Sequence, residues 1–398
     1  MRTVSKTVIG VDFGTQSARA VLVNAENGEI IYSCRKEYPY NSTPVPAIDC
    51  AENLPCATDY EMTLYELLRN VIPEEYRKTV AGICVDATSL TMVLLAEDGR
   101  ALSELDGWSE AAHARVKLWK YHRAQEKADE ALNLARNLQE PFLGRTGGSI
   151  SCEWMLPKLL EVRDEAPEIY SKIDLAMDLC EFLTFRLTGQ LVRSIGSLSY
   201  KCLWAEDLSF PERTFLNGLR AGFYEEYCHF LRGDVRKPGE CAGMLRSELT
   251  KRWGLPEQIP VATGMLARHT SLATMGAFEP GDAALIVGTS NVCTVQDRKL
   301  QELKDVCGVA QDGMVTGSCG IDTGQSSTGN MLGWFVEHMA GWQIHREAEE
   351  RKISPHQVLA ERIQKPWENK VIAVDWWSGS RNAPCDLTPV SYTHLRAH

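Results

Sequence analysis

Apolar positions open the chain in short alternating runs. Thr7–Phe13 is the first, Ala18–Asn24 the second and Glu29–Arg35 the third. Period-two runs broken by turn residues predict strands. Gly14-Thr15-Gln16-Ser17 is a tight connection, and Asn27-Gly28 is a strong hairpin signal because both residues tolerate positive φ. Three antiparallel strands are therefore expected. Leu64, Leu67, Leu68 and Val71 then share one face of a helix, which Thr58-Asp59 would cap. Val80–Asp86 and Leu90–Ala96 predict two more strands, with Asp98-Gly99 as the next turn. The order βββαβ differs from the βαβ repeat of a dinucleotide-binding domain.

From Lys117 the composition shifts to helix formers, in "KLWKYHRAQEKADEALNLARNL". Gly147-Gly148 interrupts, and helical spacing returns over Cys152–Val162. It returns again at Leu179, Phe182, Leu183 and Leu187, a stripe that Gly189 stops. Residues from about 110 to 250 thus predict a mainly helical insertion. Near Ile259 strands resume, with "IPVATGM", "AALIVGTSNVCTVQ", "GMVTGSCG" and "VIAVDWW", and Ser326–Gly341 predicts a helix. "VDFGTQS" and "IVGTSNV" are weakly alike, as in a duplication at domain scale.

Length and charge narrow the class. At 398 residues the chain suits two domains. Its 44% apolar and 24% charged residues are ordinary for a globular protein. A net charge of −11 argues against nucleic acid or an anionic membrane as partner. A small anion is not excluded, because a local nest of backbone N–H groups binds phosphate whatever the global charge. The 13 cysteines form no C-x-x-C pair and no zinc spacing, so free thiols in a reducing, cytoplasmic setting are expected. No apolar run reaches membrane length. Ser391–His398, "SYTHLRAH", resembles a translated sequencing adaptor. Residues 390–398 are therefore set apart from the fold as a non-native tail.

The two Gly-Thr turns carry the candidate chemistry. A turn at Gly14-Thr15-Gln16-Ser17 would aim backbone N–H groups at one point, with the Thr15 and Ser17 hydroxyls adding donors. Asp12 ends the strand beside that point. A carboxylate there repels phosphate unless Mg²⁺ lies between them. Gly288-Thr289-Ser290 would clasp the same phosphate chain from the second domain. Either turn alone reads as well as an ordinary turn; together, with the strand order and Asp12, they favour a hinged nucleotide site. No Walker loop is present.

"GVDFGTQSARAVLV", "HARVKLWKYHRAQEKAD", "GGSISCEWMLPKLLEVRDEAPEIY", "SYKCLW", "GIDTGQSSTGNMLGWF" and "VDWWSGSRNAP" resemble the FGGY carbohydrate kinases of the actin-like ATPase superfamily. The "VKLWK" and "EWMLPK" stretches favour the branch acting on ribulose over those acting on glycerol or xylulose. The resemblance implies an α/β fold of two actin-like, ribonuclease H-like domains around a cleft. Residues 5–276 would form the first, with the helical insertion, and 277–389 an incomplete second. It implies MgATP-dependent phosphorylation of a ketopentose, with ATP and Mg²⁺ as cofactors, and leaves a homo-oligomer open. Phosphate and nucleotide contacts fall on Gly14, Thr15, Gln16, Ser17, Arg19, Gly288, Thr289, Ser290 and Gln325, and the metal contact on Asp12. Sugar contacts fall on Ser89, Lys201 and Asp322. A solvated lysine at 201 and a helix cap at Asp322 are the competing structural roles.

One departure stands out. The family pattern Gly-x-hydrophobic-Asp-Ala-His supplies the proton-accepting Asp, yet here the stretch is Gly264-Met265-Leu266-Ala267-Arg268-His269. Alanine takes no proton, and arginine serves as a clamp, never a base. A true loss, a sequence error and a substitute carboxylate all remain open; His269 is read as structural. The family's adenine-binding glycines would lie beyond "VDWWSGSRNAP". A chain ending here is expected to be poorly soluble and inactive, with an unpaired sheet edge.

Overall fold

A computed structural model describes residues 5–38, 54–288, 290–326 and 328–363. The first strands follow the alternation: β1 (Thr7–Phe13), β2 (Ser17–Asn24) and β3 (Ile30–Glu37). Thr7, Ile9, Val11 and Phe13 of β1 and Ala18, Ala20 and Leu22 of β2 are buried. Helix α1 (Ala57–Val71) lays Leu64, Leu67, Leu68 and Val71 on the core. Its start corrects the expected cap: Cys56 is the N-cap, and its N–H donates to the Asp59 carboxylate at 3.1 Å. Strand β4 (Val80–Ala87) pairs parallel with β1, giving the predicted βββαβ order.

The insertion is mostly helical, with short strands between. It comprises β5 (Met92–Leu95), α2 (Gln125–Leu138), α3 (Met155–Glu165), α4 (Pro167–Tyr170), β6 (Leu175–Asp178), α5 (Leu179–Thr188), β7 (Val192–Ser194) and α6 (Ile195–Lys201). There follow α7 (Arg213–Leu219), α8 (Phe223–Phe230), β8 (Asp234–Arg236), β9 (Cys241–Met244) and α9 (Ser247–Trp253). The helix expected from Lys117 begins only at Gln125. Lys117 is held extended by a backbone bridge to Met92, and its buried ammonium pairs with Glu161 at 3.3 Å. Gly189 caps α5 with φ of 70°, as the sequence predicts.

Strands β10 (Pro260–Ala262) and β11 (Met265–Leu266) both add to β4. The first sheet thus runs β3-β2-β1-β4-β10-β9, with β11 beside β4. Helix α10 (Ala267–Met275) leads to a second sheet of β12 (Ala283–Val287), β13 (Asn291–Asp297), β14 (Gly308–Gln311) and β15 (Cys319–Gln325), in the order β12-β13-β15-β14. "GMVTGSCG" proves to be mainly the turn into β15, where Asp312 and Gly317 take positive φ. The helix expected from Ser326 is α11 (Thr328–Met339), followed by α12 (Trp342–Arg351) and α13 (Pro355–Arg362). "VIAVDWW", "VDWWSGSRNAP" and residues 390–398 lie outside the described residues.

The second sheet docks on α6 by close backbone approach. The Tyr200 ring is buried, and its hydroxyl donates to the Gly320 carbonyl at 2.6 Å. A Cβ at Gly313 would lie 2.6 Å from that ring, and one at Gly320 2.5 Å from the hydroxyl, so both positions require glycine. On the far side of this sheet β12 is an edge with Leu285 and Val287 largely exposed among the described residues.

Candidate functional site

Strands β1 and β4 both carry Val-Asp one residue before their ends, and their parallel register sets Asp12 directly beside Asp86. Cross-strand neighbours carry the row onward: Arg19 opposite Asp12, and Arg35 opposite Arg19. One sheet edge thus presents two guanidinium and two carboxyl groups in line, because directly paired residues place their side chains on the same face. The Asp86 carboxyl lies against that of Asp12, with the Thr270 hydroxyl near it. Burial first, and then the Asp12 charge, push the Asp86 carboxyl well above the usual carboxylate range. Its Oδ1 is sealed from solvent and accepts no hydrogen bond.

The first Gly-Thr turn is closed by hydrogen bonds. The Gly14 N–H donates to the Ser17 carbonyl at 3.1 Å, and the Gly14 carbonyl accepts from Tyr38 at 2.9 Å. Trp119 Nε1 donates to Thr15 Oγ1 at 3.1 Å, and Arg35 Nε donates to Ser17 Oγ at 3.0 Å. The second turn closes the same way, with Gly288 N–H donating to the Ser290 carbonyl at 3.1 Å. Both glycine amides are therefore spent inside their turns, which corrects the expectation that they point at a ligand. The hydroxyls remain: Ser290 Oγ is buried with no partner among the described residues. Thr289 lies outside the described residues. Gln16 and Arg19 are exposed, and Gln325 pairs across the sheet with Asn291, next to the second turn.

A cavity of about 170 Å³ brings together one residue from each turn and two of the three expected sugar contacts, Ser89 and Lys201, while Asp322 is not among its lining residues. Thr15, Ser290, Ser89, Lys201 and Ala267 line it, joined by Thr88, Leu90, Trp119, Glu153 and Arg268. A larger hollow of about 460 Å³, beside Phe142, Trp204 and Val309, contains none of the residues singled out from the sequence. Lys201 is buried, and burial first, then Arg268, bring its ammonium down to about 8. Ser89 sits on a loop fixed from within. Leu90 takes φ of 50°, its N–H donates to Asp178 at 3.0 Å, and its carbonyl accepts from buried Lys158 at 2.9 Å. Burial lowers Lys158 to about 7, and burial with Glu181 raises Asp178 to about 7.

Asp322 is not a helix cap; it lies within β15, fully buried, paired to Arg268 at 2.7 Å. Arg268 also donates to Ser89 Oγ at 3.2 Å. One arginine thus occupies two of the three expected sugar contacts. His269 is buried against the Tyr200 ring, and burial, then Arg268, hold it well below its usual range. It is a neutral packing group. Asp86, Trp119 and Glu153 were not assigned site roles from sequence, and Arg268, read there as able to clamp a phosphate, is held by Asp322 and Ser89. A signal for Asp86 was present in the repeated Val-Asp at the two strand ends.

Among the described residues no three His, Cys, Asp or Glu side chains cluster to hold a metal. The Asp12–Asp86 pair nonetheless fits Mg²⁺, which leans on one or two carboxylates and takes its other ligands from water and phosphate. The orphaned Asp86 Oδ1 supports that fit.

Two α/β lobes, with one residue from each glycine-threonine turn lining a shared cavity, define a two-domain actin-like ATPase fold. Solved structures share it: xylulose kinase from Rhodospirillum rubrum has a TM-score of 0.73 at 19% identity, over 97% of this chain and 72% of that one. Gluconate kinase from Lactobacillus acidophilus has a TM-score of 0.73 at 18% identity, over 97% of this chain and 71% of that one. The chain belongs to the FGGY family of carbohydrate kinases, whose N-terminal domain description matches residues 7–276. It is 32% identical to a ribulokinase of Halalkalibacterium halodurans over 96% of this chain and 70% of that protein. It is 34% identical to a ribulokinase of Mycolicibacterium smegmatis over 96% of this chain and 69% of that protein.

Proposed function

We propose that this protein transfers the γ-phosphoryl group of MgATP to the terminal hydroxyl of a ketopentose, with L-ribulose as the first choice, in cytoplasmic arabinose breakdown. The observation that carries this reading is the cavity itself. Thr15 and Ser290, one from each Gly-Thr turn, face the same space as Ser89 and Lys201. Hydroxyl donors from two lobes suit a phosphate chain lying between them, and Lys201 suits a sugar hydroxyl. Arg19 beside Asp12 adds a cation for phosphate oxygens. Bound Mg²⁺, held by Asp12, would offset the charge developing on the transferred group. Ribulokinase relatives support the sugar class, and the free thiols of every described cysteine support a reducing compartment. Coupled ADP production by the full-length gene product across a panel of ketopentoses tests the reading. No sugar dependence above ATP hydrolysis rejects it.

A second reading is a sugar- and nucleotide-binding protein without turnover. It is favoured by Ala267 at the cavity wall and by Arg268 across Asp322 and Ser89. Sugar binding by calorimetry with no phosphorylated product would select it.

A further inference from the structure

We propose that Asp86 is the second protein carboxylate of the divalent-cation site, bound through Oδ1 alongside Asp12. The inference rests on the MgATP reading above and goes beyond the single metal contact on Asp12. Two carboxyl groups set side by side by strand register repel when both are ionised, and a cation between them removes that repulsion. A fold that needed Asp86 only for structure would surround it with donors, and this protein does so elsewhere. Buried Asp178 accepts from the N–H groups of Leu90 and Leu179 and from the Ser197 hydroxyl, at 2.8–3.0 Å. Buried Glu181 accepts from the Asp178 and Ser194 N–H groups and from Arg193. Asp86 has a sparser shell, the Thr270 hydroxyl and the Asp12 carboxyl, and its Oδ1 is left buried without a partner. An unpaired buried acceptor costs about 1–3 kcal/mol, so native proteins keep few of them.

Position agrees with the chemistry. Asp12 is exposed and Asp86 stands on the inward side of it, at the strand ends that face the first Gly-Thr turn. A cation held by both would have its open side toward the turn and a phosphate there. Two carboxylates match the hard-oxygen preference of Mg²⁺ and of its probe Mn²⁺.

The test is Mn²⁺ binding by the full-length protein with ADP, followed by electron paramagnetic resonance. Asp86→Asn should weaken Mn²⁺ about tenfold to a hundredfold, as should Asp12→Asn, and leave metal-free ADP binding unchanged. Unchanged Mn²⁺ affinity in a folded Asp86→Asn protein overturns the proposal. A measurement on unaltered protein removes dependence on the variant's folding. With aspartate labelled by ¹³C at the side-chain carboxyl, electron-nuclear double resonance of the Mn²⁺–ADP complex should give two inequivalent carboxylate couplings, and a single coupling refutes it. Neither readout involves sugar, so failure here leaves the sugar-kinase reading standing, and failure of sugar turnover leaves this one standing.

Discussion

Replacing Ala267 by Asp restores the missing proton acceptor in its own setting. Ala267 is the first residue of α10 and lines the cavity beside Thr15, Ser89 and Lys201. A carboxylate in a first helical turn gains about 0.3–1 kcal/mol from the helix dipole. Arg268 and Lys201 nearby hold it ionised at neutral pH, so it is ready to take a proton. General-base assistance is worth about 10²–10⁴-fold, or about 2.7–5.4 kcal/mol in the barrier. Ala267→Asp in the full-length protein should therefore raise sugar-dependent kcat by at least about a hundredfold. KM for MgATP should hardly move, because the turn hydroxyls are untouched. The assay is coupled ADP release with saturating L-ribulose, with sugar-free ATP hydrolysis as the blank. A folded variant with less than about a fivefold gain, below the range for base catalysis, would refute the assignment of position 267.

Gly320→Ala drives a methyl group into the Tyr200 hydroxyl and the Met314 side chain, and overpacking of this kind costs about 1–3 kcal/mol; urea unfolding should show it, and Gly28→Ala, with nothing near its Cβ, should show only the strain of its positive φ. Lys158→Met strips the donor from the Leu90 and Leu118 carbonyls, each at 2.9 Å, which loosens the Ser89 loop; KM for sugar should rise several times more than KM for ATP. The Lys201 ammonium deprotonates near 8, so sugar affinity should fall as pH rises through that value. Arg268→Ala removes a like charge and should move that midpoint upward, which calorimetric sugar titrations from pH 6 to 10 would follow. Because its folded value lies below the unfolded 10.5, Lys201 also makes stability rise with pH between about 8 and 10.5.

Strands β1 to β4 of the first sheet were legible because they are short, alternating and punctuated by Asn-Gly and Gly-Thr, whereas β9 lay inside the stretch expected to be helical. The helix stripe of α5 and its Gly189 stop were legible for the same local reason. Lys117–Ala124 misled because helix-forming composition was overruled by a long-range strand bridge and a buried ion pair with Glu161. The spent glycine amides were invisible because a turn's internal hydrogen bond depends on geometry, not residue type. Asp86 was missed because its meaning depends on which strand lies beside β1, and only the parallel β1–β4 register supplies that. The Arg268–Asp322 pair joins a helix residue of α10 to a strand residue of β15 more than fifty positions away, which no local pattern encodes.

The phenol of Tyr200 sits in a hollow of glycines, and it is not the sole tie between the second sheet and the insertion. The Val309 N–H donates to the Arg145 carbonyl at 2.8 Å, and Lys237 pairs with Asp312 at 2.7 Å. Turning the second sheet about the ring would strain those bonds, so the junction acts as a fixed joint. Lys201, the next residue along the chain, is thereby anchored at the substrate end of the cavity.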